Sequence, residues 1–363
     1  MSSSIKATYP IFFGDESVSE WSNWLRSTAH SSVFILNDSN THVHCLQHLL
    51  NRLPELSLAP VLTVPAGERH KNLESVASII RFLMEKDADR NALLLNLGGG
   101  MIGDLGGFAA SVYKRGINFI HVPTSLLAMA DASIGGKNGV DFLDAKNMVG
   151  TFTNPSAVFI APAFLDTLPA REKRAGYAEI IKHAVCAGGK EWKQVEATDI
   201  RSISHKDFLE LLKNTIRYKL SIVASDPLDR GERMILNFGH TIGHALESVF
   251  LKKDELLHGE AVAAGMAGEL FLSHKLAGLP GDAMDSAIRY IRSVFHDLDI
   301  ACPVEELIRF MKSDKKNRDG RIGFCLPSGS GETRLIFPDP HQIREAVDFM
   351  FQTFSAKLYH DQG

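Results

Sequence analysis

The chain has 363 residues, of which 45% are hydrophobic and 23% charged, with a formal net charge of −4. That length suits two domains, because single cores stop growing near roughly 250–300 residues, and the composition is that of an ordinary globular protein. The slight acidity argues against a nucleic-acid partner, and since no apolar run reaches about 18 residues, no membrane segment is expected. The four cysteines, Cys45, Cys186, Cys302 and Cys325, are scattered without C-x-x-C spacing, which points to a reducing compartment. Residues 1–6 (MSSSIK) lack the apolar core of a signal peptide. A cytoplasmic protein is expected.

In chain order, residues 32–36, 60–64, 92–97, 117–122 and 157–160 are short β-branched or leucine-rich runs and read as buried strands. Helical periodicity fills 72–86, and a second helix over 102–114 follows a glycine turn. This alternation predicts a Rossmann-like α/β domain with a mostly parallel sheet over residues 1–168. From about residue 170 the pattern turns helical, over 171–187, 206–225, 232–250, 259–277 and 284–295. An apolar pair at 322–326 and 333–337 suggests a late hairpin, and 341–358 closes the chain as an amphipathic helix. The second domain, 169–363, is therefore expected to be all-α in its main body.

Residues 98–104 (GGGMIGD) follow the third predicted strand and open a helix. Glycines there let backbone N–H groups approach a phosphate, and the helix N-terminus adds favourable electrostatics. The order is not G-x-G-x-x-G, yet three consecutive glycines each cost backbone entropy, so a dinucleotide pyrophosphate outweighs a bare turn. Residues 65–71, with Glu68 and Lys71, offer further ribose or base contacts, although alone they read as a loop opening a helix. Between 113 and 150 the chain gathers Arg115, Thr124, Ser125, Asp131, Lys137, Lys146 and Asn147. Lys137 follows two glycines, where a compact cation can reach an anion. Arg115, Lys137, Lys146 and Asn147 together suit a phosphate cradle, and solvated surface lysines are the plain alternative.

Glu179 and Lys182 are three apart in a helical pattern and share a face. They fit either a structural ion pair or a carboxylate available to a metal. His240 and His244 are four apart, with Glu247, His258 and Glu260 close behind. Imidazoles one helical turn apart, joined by a third donor, make a common divalent-metal site. Spacing alone leaves hydrogen-bonded core histidines equally open.

Taken together, these motifs resemble the 3-dehydroquinate synthase family, one of the sugar-phosphate cyclases, over about residues 30–337. The matching stretches are 98–108 (GGGMIGDLGGF), 113–116 (YKRG), 122–131, 135–139 (GGKNG), 146–150 (KNMVG), 164–169 (FLDTLP), 174–182 (RAGYAEIIK), 237–247 (NFGHTIGHALE) and 257–261 (LHGEA). The resemblance implies a cytoplasmic homodimer of the shikimate pathway acting on a small sugar phosphate. It would convert 3-deoxy-D-arabino-heptulosonate 7-phosphate to 3-dehydroquinate and phosphate, with NAD and one divalent metal, Zn²⁺ or Co²⁺. Carried over onto this chain, the metal ligands are Glu179, His240 and His258, which makes His244 a substrate-side or proton-relay residue. The implied NAD contacts are Asp38, Glu68, Lys71, Gly99, Gly100, Asp104, Thr124, Ser125, Lys137, Lys146, Phe164 and Thr167. The implied substrate and catalytic residues are Arg115, Asp131, Lys137, Asn147, Lys182, Lys219, Arg233, Asn237, His244 and Lys316. The first domain would then bind NAD, and the second the metal and substrate.

Some positions depart from the family's usual pattern. Ser125 stands where a second threonine is common, Asn138 and Asp141 where threonine and asparagine are, and Asp229 where glutamate is frequent. These changes touch substrate surroundings rather than the implied ligands. The remaining alternatives are another sugar-phosphate cyclase and a metal-dependent polyol dehydrogenase.

Overall fold

The leucine-rich runs of the first half line up as one sheet in the computed structural model, which describes residues 4–143, 145–250, 256–312, 317–329 and 332–355. The chain divides into two compact units, Met1–Lys173 and Arg174–Gly363. In the first, β1 (Ser4–Lys6) and β2 (Pro10–Phe13) lead to α1 (Val18–Ser27) and β3 (Val33–Asp38). A single turn, α2 (Ser39–Thr41), and a short α3 (Gln47–Arg52) follow, then β4 (Val61–Val64), α4 (Leu73–Glu85), β5 (Leu93–Gly98) and α5 (Gly100–Val112). Next come β6 (Asn118–Pro123), the hairpin of β7 (Lys137–Phe142) and β8 (Ala145–Phe152), and β9 (Ala157–Ile160).

The sheet order is β1-β2-β9-β6-β5-β3-β4, with only the β1–β2 pair antiparallel. Every residue of the central strand β5 is buried, as a parallel strand covered on both faces must be. From β3 the chain steps outward to β4, then returns to the other side of β3 as β5. That reversal opens a crevice at the carboxyl ends of β3 and β5, where open α/β sheets bind ligands.

Helix α5 seats against both sheet and hairpin through two glycines. A Cβ on Gly106 would lie 1.9 Å from Asn96 Oδ1 of β5, and one on Gly107 1.9 Å from Asn138 Oδ1 of β7. Asn138 is fixed in turn by donating Nδ2 to the carbonyls of Gly136, at 3.1 Å, and Thr153, at 2.9 Å. One of the positions that departs from the family pattern thus forms a packing wedge.

The second unit is built of helices. After α6 (Ala170–Ala187), which begins in the first unit, come α7 (Gly189–Glu196), α8 (His205–Ser225), α9 (His240–Phe250), α10 (His258–Leu272), α11 (Gly281–Val294), α12 (Val304–Met311) and α13 (Pro340–Phe354). The expected late hairpin is present as β10 (Phe324–Pro327) and β11 (Thr333–Ile336), paired antiparallel. The helix expected over 232–250 is broken: Glu232–Asn237 forms a 3-10 turn, and α9 starts only after Gly239, whose φ is 78°. Helices α6, α9 and α10 meet at backbone contact. A Cβ on Gly259 would lie 1.8 Å from the Ala175 carbonyl oxygen, and one on Gly265 2.1 Å from that of Gly239. These two glycines therefore set how closely the three helices approach. Among the described residues, no helix is long and apolar enough to cross a membrane.

Candidate active site

In the first unit, the glycine turn ends β5 and starts α5 with no side-chain cap; Gly99 takes the cap position in an extended conformation. Helices α4 and α8 contrast with it, being capped by Asn72 and Ser204. The first-turn amides of α5 are thus left for an outside acceptor, the arrangement that favours phosphate. Thr124 and Ser125 adjoin this turn. Thr124 is buried and donates its amide to the Gly98 carbonyl at 3.0 Å, and Ser125 Oγ would lie 3.3 Å from a Cβ on Gly99. Asp38 ends β3 and accepts the amides of Asn40 and Thr41, both at 2.9 Å, so it also caps α2. Phe164 is buried edge-on to His48, with ring centroids 5.1 Å apart, and Thr167 follows in the same 3-10 turn.

Lys71 binds a carboxylate ring around the start of α5. Its Nζ lies 2.7 Å from Glu68, 3.3 Å from Asp104, 3.9 Å from Asp141 and 2.9 Å from Asn147 Oδ1. Burial works to lower the Lys71 pKa, but Asp104, Glu68 and Asp141 hold it well above its ordinary value. Burial pushes the Asp104 carboxyl up to about 6 against the pull of Lys71. Asp141 accepts the Asn147 amide at 2.8 Å and so steadies Asn147 in its left-handed conformation, with φ of 54°. Lys137 and Lys146 are exposed on β7 and β8, and Asp131 is half-buried.

The four-residue phosphate cradle is not assembled within the chain. Arg115 leaves the far end of α5, beside Asp89, Arg90, Asn91, Val112 and Lys114, at the amino ends of the strands. Asn147 instead reaches Lys71 near the opposite end of α5. The reason is topological, since a helix between two parallel strands returns to the amino edge of the sheet before the next strand begins.

In the second unit, Glu179 on α6, His240 on α9 and His258 on α10 present ligand atoms within 4.8 Å of one another. Glu179 Oε1 lies 3.8 Å from His240 Nε2 and 3.5 Å from His258 Nε2. Donors about 2.1 Å from a tetrahedral cation would stand roughly 3.4 Å apart, so little adjustment is needed. His240 Nδ1 lies 3.0 Å from the Phe238 carbonyl and His258 Nδ1 3.2 Å from Glu247 Oε2. Each acceptor holds the proton on Nδ1 and leaves Nε2 as the lone-pair donor, the support that ligating imidazoles require. Two imidazoles and a carboxylate leave coordination positions open, which suits a catalytic divalent cation.

Burial, followed by the Lys182 charge, pushes the His240 pKa well below its ordinary value. Burial also acts to lower His258, but Glu247 and Glu179 raise it to about 10, so a cation binding there would displace a proton from Nε2 before taking its lone pair. His244 stands beside both rings, with centroids 5.1 Å from His240 and 6.1 Å from His258. A second set, His244, Glu247 and His258, is also close enough to bind a metal. There, however, Glu247 is already engaged at His258 Nδ1.

Lys182 forms an ion pair with Glu179, and Lys182, Lys219 and Arg233 are all buried. Buried cations are rare unless anions meet them. Arg233 Nη1 donates to the Pro227 carbonyl at 3.0 Å, and Asn237 ends the 3-10 turn before α9. Lys316 lies outside the described residues. Two carboxylates that carry local structure were given no role by the sequence, Glu247 behind His258 and Glu269 beneath α9.

Residues 61–175 match the family described as 3-dehydroquinate synthase N-terminal, and residues 176–317 that described as 3-dehydroquinate synthase C-terminal. The 3-dehydroquinate synthase of Parabacteroides distasonis is 41% identical over 339 residues, covering 93% of this chain and 96% of its own. The chain belongs to the 3-dehydroquinate synthase family. Among solved structures, 2-epi-5-epi-valiolone synthase from Streptomyces hygroscopicus subsp. jinggangensis, with NAD⁺ and Zn²⁺ bound, is similar at a TM-score of 0.83 and 26% identity. That match covers 97% of this chain and 99% of the other. A 2-deoxy-scyllo-inosose synthase complexed with carbaglucose-6-phosphate, NAD⁺ and Co²⁺ shares the fold at a TM-score of 0.84 and 24% identity, covering 93% and 96% of the two chains. The α/β unit and helical unit of this 3-dehydroquinate synthase family member thus recur in relatives solved with a nucleotide and a divalent cation.

Proposed function

We propose that the chain catalyses the reaction for which its family is named, converting 3-deoxy-D-arabino-heptulosonate 7-phosphate to 3-dehydroquinate and phosphate. The enzyme is a carbon–oxygen lyase. The reaction proceeds by transient oxidation, phosphate elimination, re-reduction and intramolecular aldol closure, so it is redox-neutral overall. The observation that carries this reading is the convergence of Glu179, His240 and His258 with both Nδ1 atoms already engaged. When bound there, Zn²⁺ or Co²⁺ would acidify a substrate hydroxyl, and NAD⁺ would accept and return the hydride.

The chain's own residues do the positioning. The open first turn of α5 at Gly99 and Gly100, with Thr124 and Ser125 beside it, is suited to the NAD pyrophosphate. Asp38, Glu68, Lys71, Asp104, Lys146, Phe164 and Thr167 are assigned to the rest of the nucleotide. Lys137 and Asn147 are assigned to the substrate phosphate, together with Arg115, which lies beyond the far end of α5 in its own chain. Lys182, Lys219, Arg233 and Asn237 are assigned to the substrate's carboxylate and hydroxyls, where buried cations act strongly. His244 is assigned to proton transfer at an imidazole nitrogen, next to the two ligating rings. Asp131 is assigned to the substrate, as is Lys316.

We place the protein in the cytoplasm as a homodimer. Phe142, Leu143, Met148 and Phe152 are all exposed on or beside the β7–β8 hairpin, an apolar surface that a second copy would cover. Sedimentation at the dimer mass supports this, and a monomer at micromolar concentration contradicts it.

A substrate panel tests the function. Heptulosonate 7-phosphate is expected to yield dehydroquinate with the metal-loaded protein and NAD⁺. Turnover of a non-acid heptulose phosphate in its place would assign the chain to another cyclase activity.

A further inference from the structure

Helix α9 carries His240 as its first residue, yet the position before it, Gly239, has no side chain with which to cap the helix. A larger residue does not fit there, since a Cβ would meet Met266 Cγ at 2.6 Å and the Val262 carbonyl at 3.0 Å. The first amides of a helix lack intrahelical acceptors, and when buried they need partners. The partner comes from thirty residues on. Glu269, fully buried within α10, accepts the Gly239 amide on Oε2 at 2.7 Å, and the Thr241 and Ile242 amides on Oε1 at 3.0 and 3.2 Å.

Gly239 and Thr241 flank His240, so one carboxylate grips the backbone on both sides of that residue. The His240 ring is held separately by the Phe238 carbonyl. Glu269 also belongs to the helix that opens with His258. A single helix thus supplies one ligand-type histidine and fastens the backbone of the other. An anion at a helix N-terminus is favoured by the helix dipole, and charge-assisted bonds are about twice as strong as neutral ones.

We propose that Glu269 is a positioning residue of the metal centre. By capping α9 from within α10, its carboxylate fixes where His240 Nε2 stands relative to Glu179 and His258. The inference rests on the reading of Glu179, His240 and His258 as the metal ligands, and its test separates the two.

Glu269→Gln keeps the shape but replaces one acceptor oxygen with a donor, which must then face an amide N–H. Co²⁺ titration of the apoprotein, followed by the metal's absorption bands, reads the site directly, and NAD⁺ affinity reports an intact first unit. Glu269→Gln is expected to weaken Co²⁺ binding about tenfold or more, the usual range for partners behind a ligand. Its Co²⁺ bands should shift while NAD⁺ affinity is retained. Wild-type Co²⁺ affinity and spectrum in the folded variant would reduce Glu269 to a stability residue and overturn the proposal. If the wild type itself takes up no Co²⁺, the metal reading falls and carries this inference with it. Should Glu269→Gln not fold, hydrogen exchange on the wild-type apoprotein decides. The Gly239, Thr241 and Ile242 amides should be as protected as helix-interior amides, and exchange as fast as in the first turn of α5 refutes the cap.

Discussion

Two helix N-termini, one in each unit, are treated in opposite ways. That of α5 is left without a side-chain acceptor, with Gly99 at its cap and Ser125 alongside. That of α9 is closed from inside by Glu269, with three amides on one buried carboxylate. Both helices present the same partial positive charge, but only α5 leaves it for a visitor. In α9 the charge is satisfied within the protein, and the helix becomes a fixed mount for a histidine. An open terminus suits a ligand that comes and goes, and a closed one suits a side chain that must not move.

Breaking each half separately gives the largest effects. His258→Ala removes one of three convergent ligand-type side chains, so metal content should be lost and activity should fall at least about a thousandfold, some 4 kcal/mol of barrier. NAD⁺ binding and the fold should persist, and normal metal content in that variant would refute the ligand assignment. Gly99→Asp fills the open terminus with an anion. The new side chain is a good cap but repels phosphate, so NAD⁺ affinity should drop about a hundredfold, some 2.7 kcal/mol, without loss of thermal stability. Unchanged NAD⁺ affinity by calorimetry would remove the pyrophosphate from α5.

A smaller change sharpens the contrast. Glu247→Gln weakens the acceptor behind His258 without touching the ligand, and metal affinity measured against a competing chelator should fall about tenfold. No change would show that Glu247 acts only in packing.

The smallest effect concerns a histidine placed differently from His258. His121 on β6 is buried, and burial lowers its pKa to about 4. The folded state thus holds it neutral, while the unfolded chain protonates it near its ordinary value of 6.5. Stability from this residue is complete above that value and declines as pH falls toward about 4. By about pH 5.5 the loss should be on the order of 1 kcal/mol. His121→Gln should flatten that part of the stability profile in denaturant melts, and an unchanged slope would rule His121 out as the source.

What the sequence made legible follows from the same physics. β3, β5, β6 and β9 are buried parallel strands, so each appears as a short, mostly apolar run even where Asn96 or His121 interrupts it. The β7–β8 hairpin is half covered and mixes Lys137, Asn138, Gly139 and Asp141, and its residues read as a polar cluster rather than as strands. The 232–250 segment keeps helical periodicity through Gly239, and only the left-handed turn there reveals the break. The ligand-type residues were visible as a set, and it took the ordered motifs of the whole chain to divide His240 from His244. The geometry adds the engaged Nδ1 atoms. Glu269 had one faint signal, a lone charge within the otherwise apolar or small residues 261–272. Nothing in its spacing linked it to an amide thirty residues earlier, because that contact exists only once α9 and α10 are packed.

The central claim is that the chain runs a redox cycle that closes on itself. The most direct measurement supplies metal-loaded protein with heptulosonate 7-phosphate and limiting NAD⁺, while following phosphate, dehydroquinate and reduced nicotinamide in one reaction. Phosphate and dehydroquinate should appear in equal amounts, far exceeding the NAD⁺ supplied, with no build-up of reduced nicotinamide. Accumulation of reduced nicotinamide without dehydroquinate would identify a dehydrogenase and contradict the account.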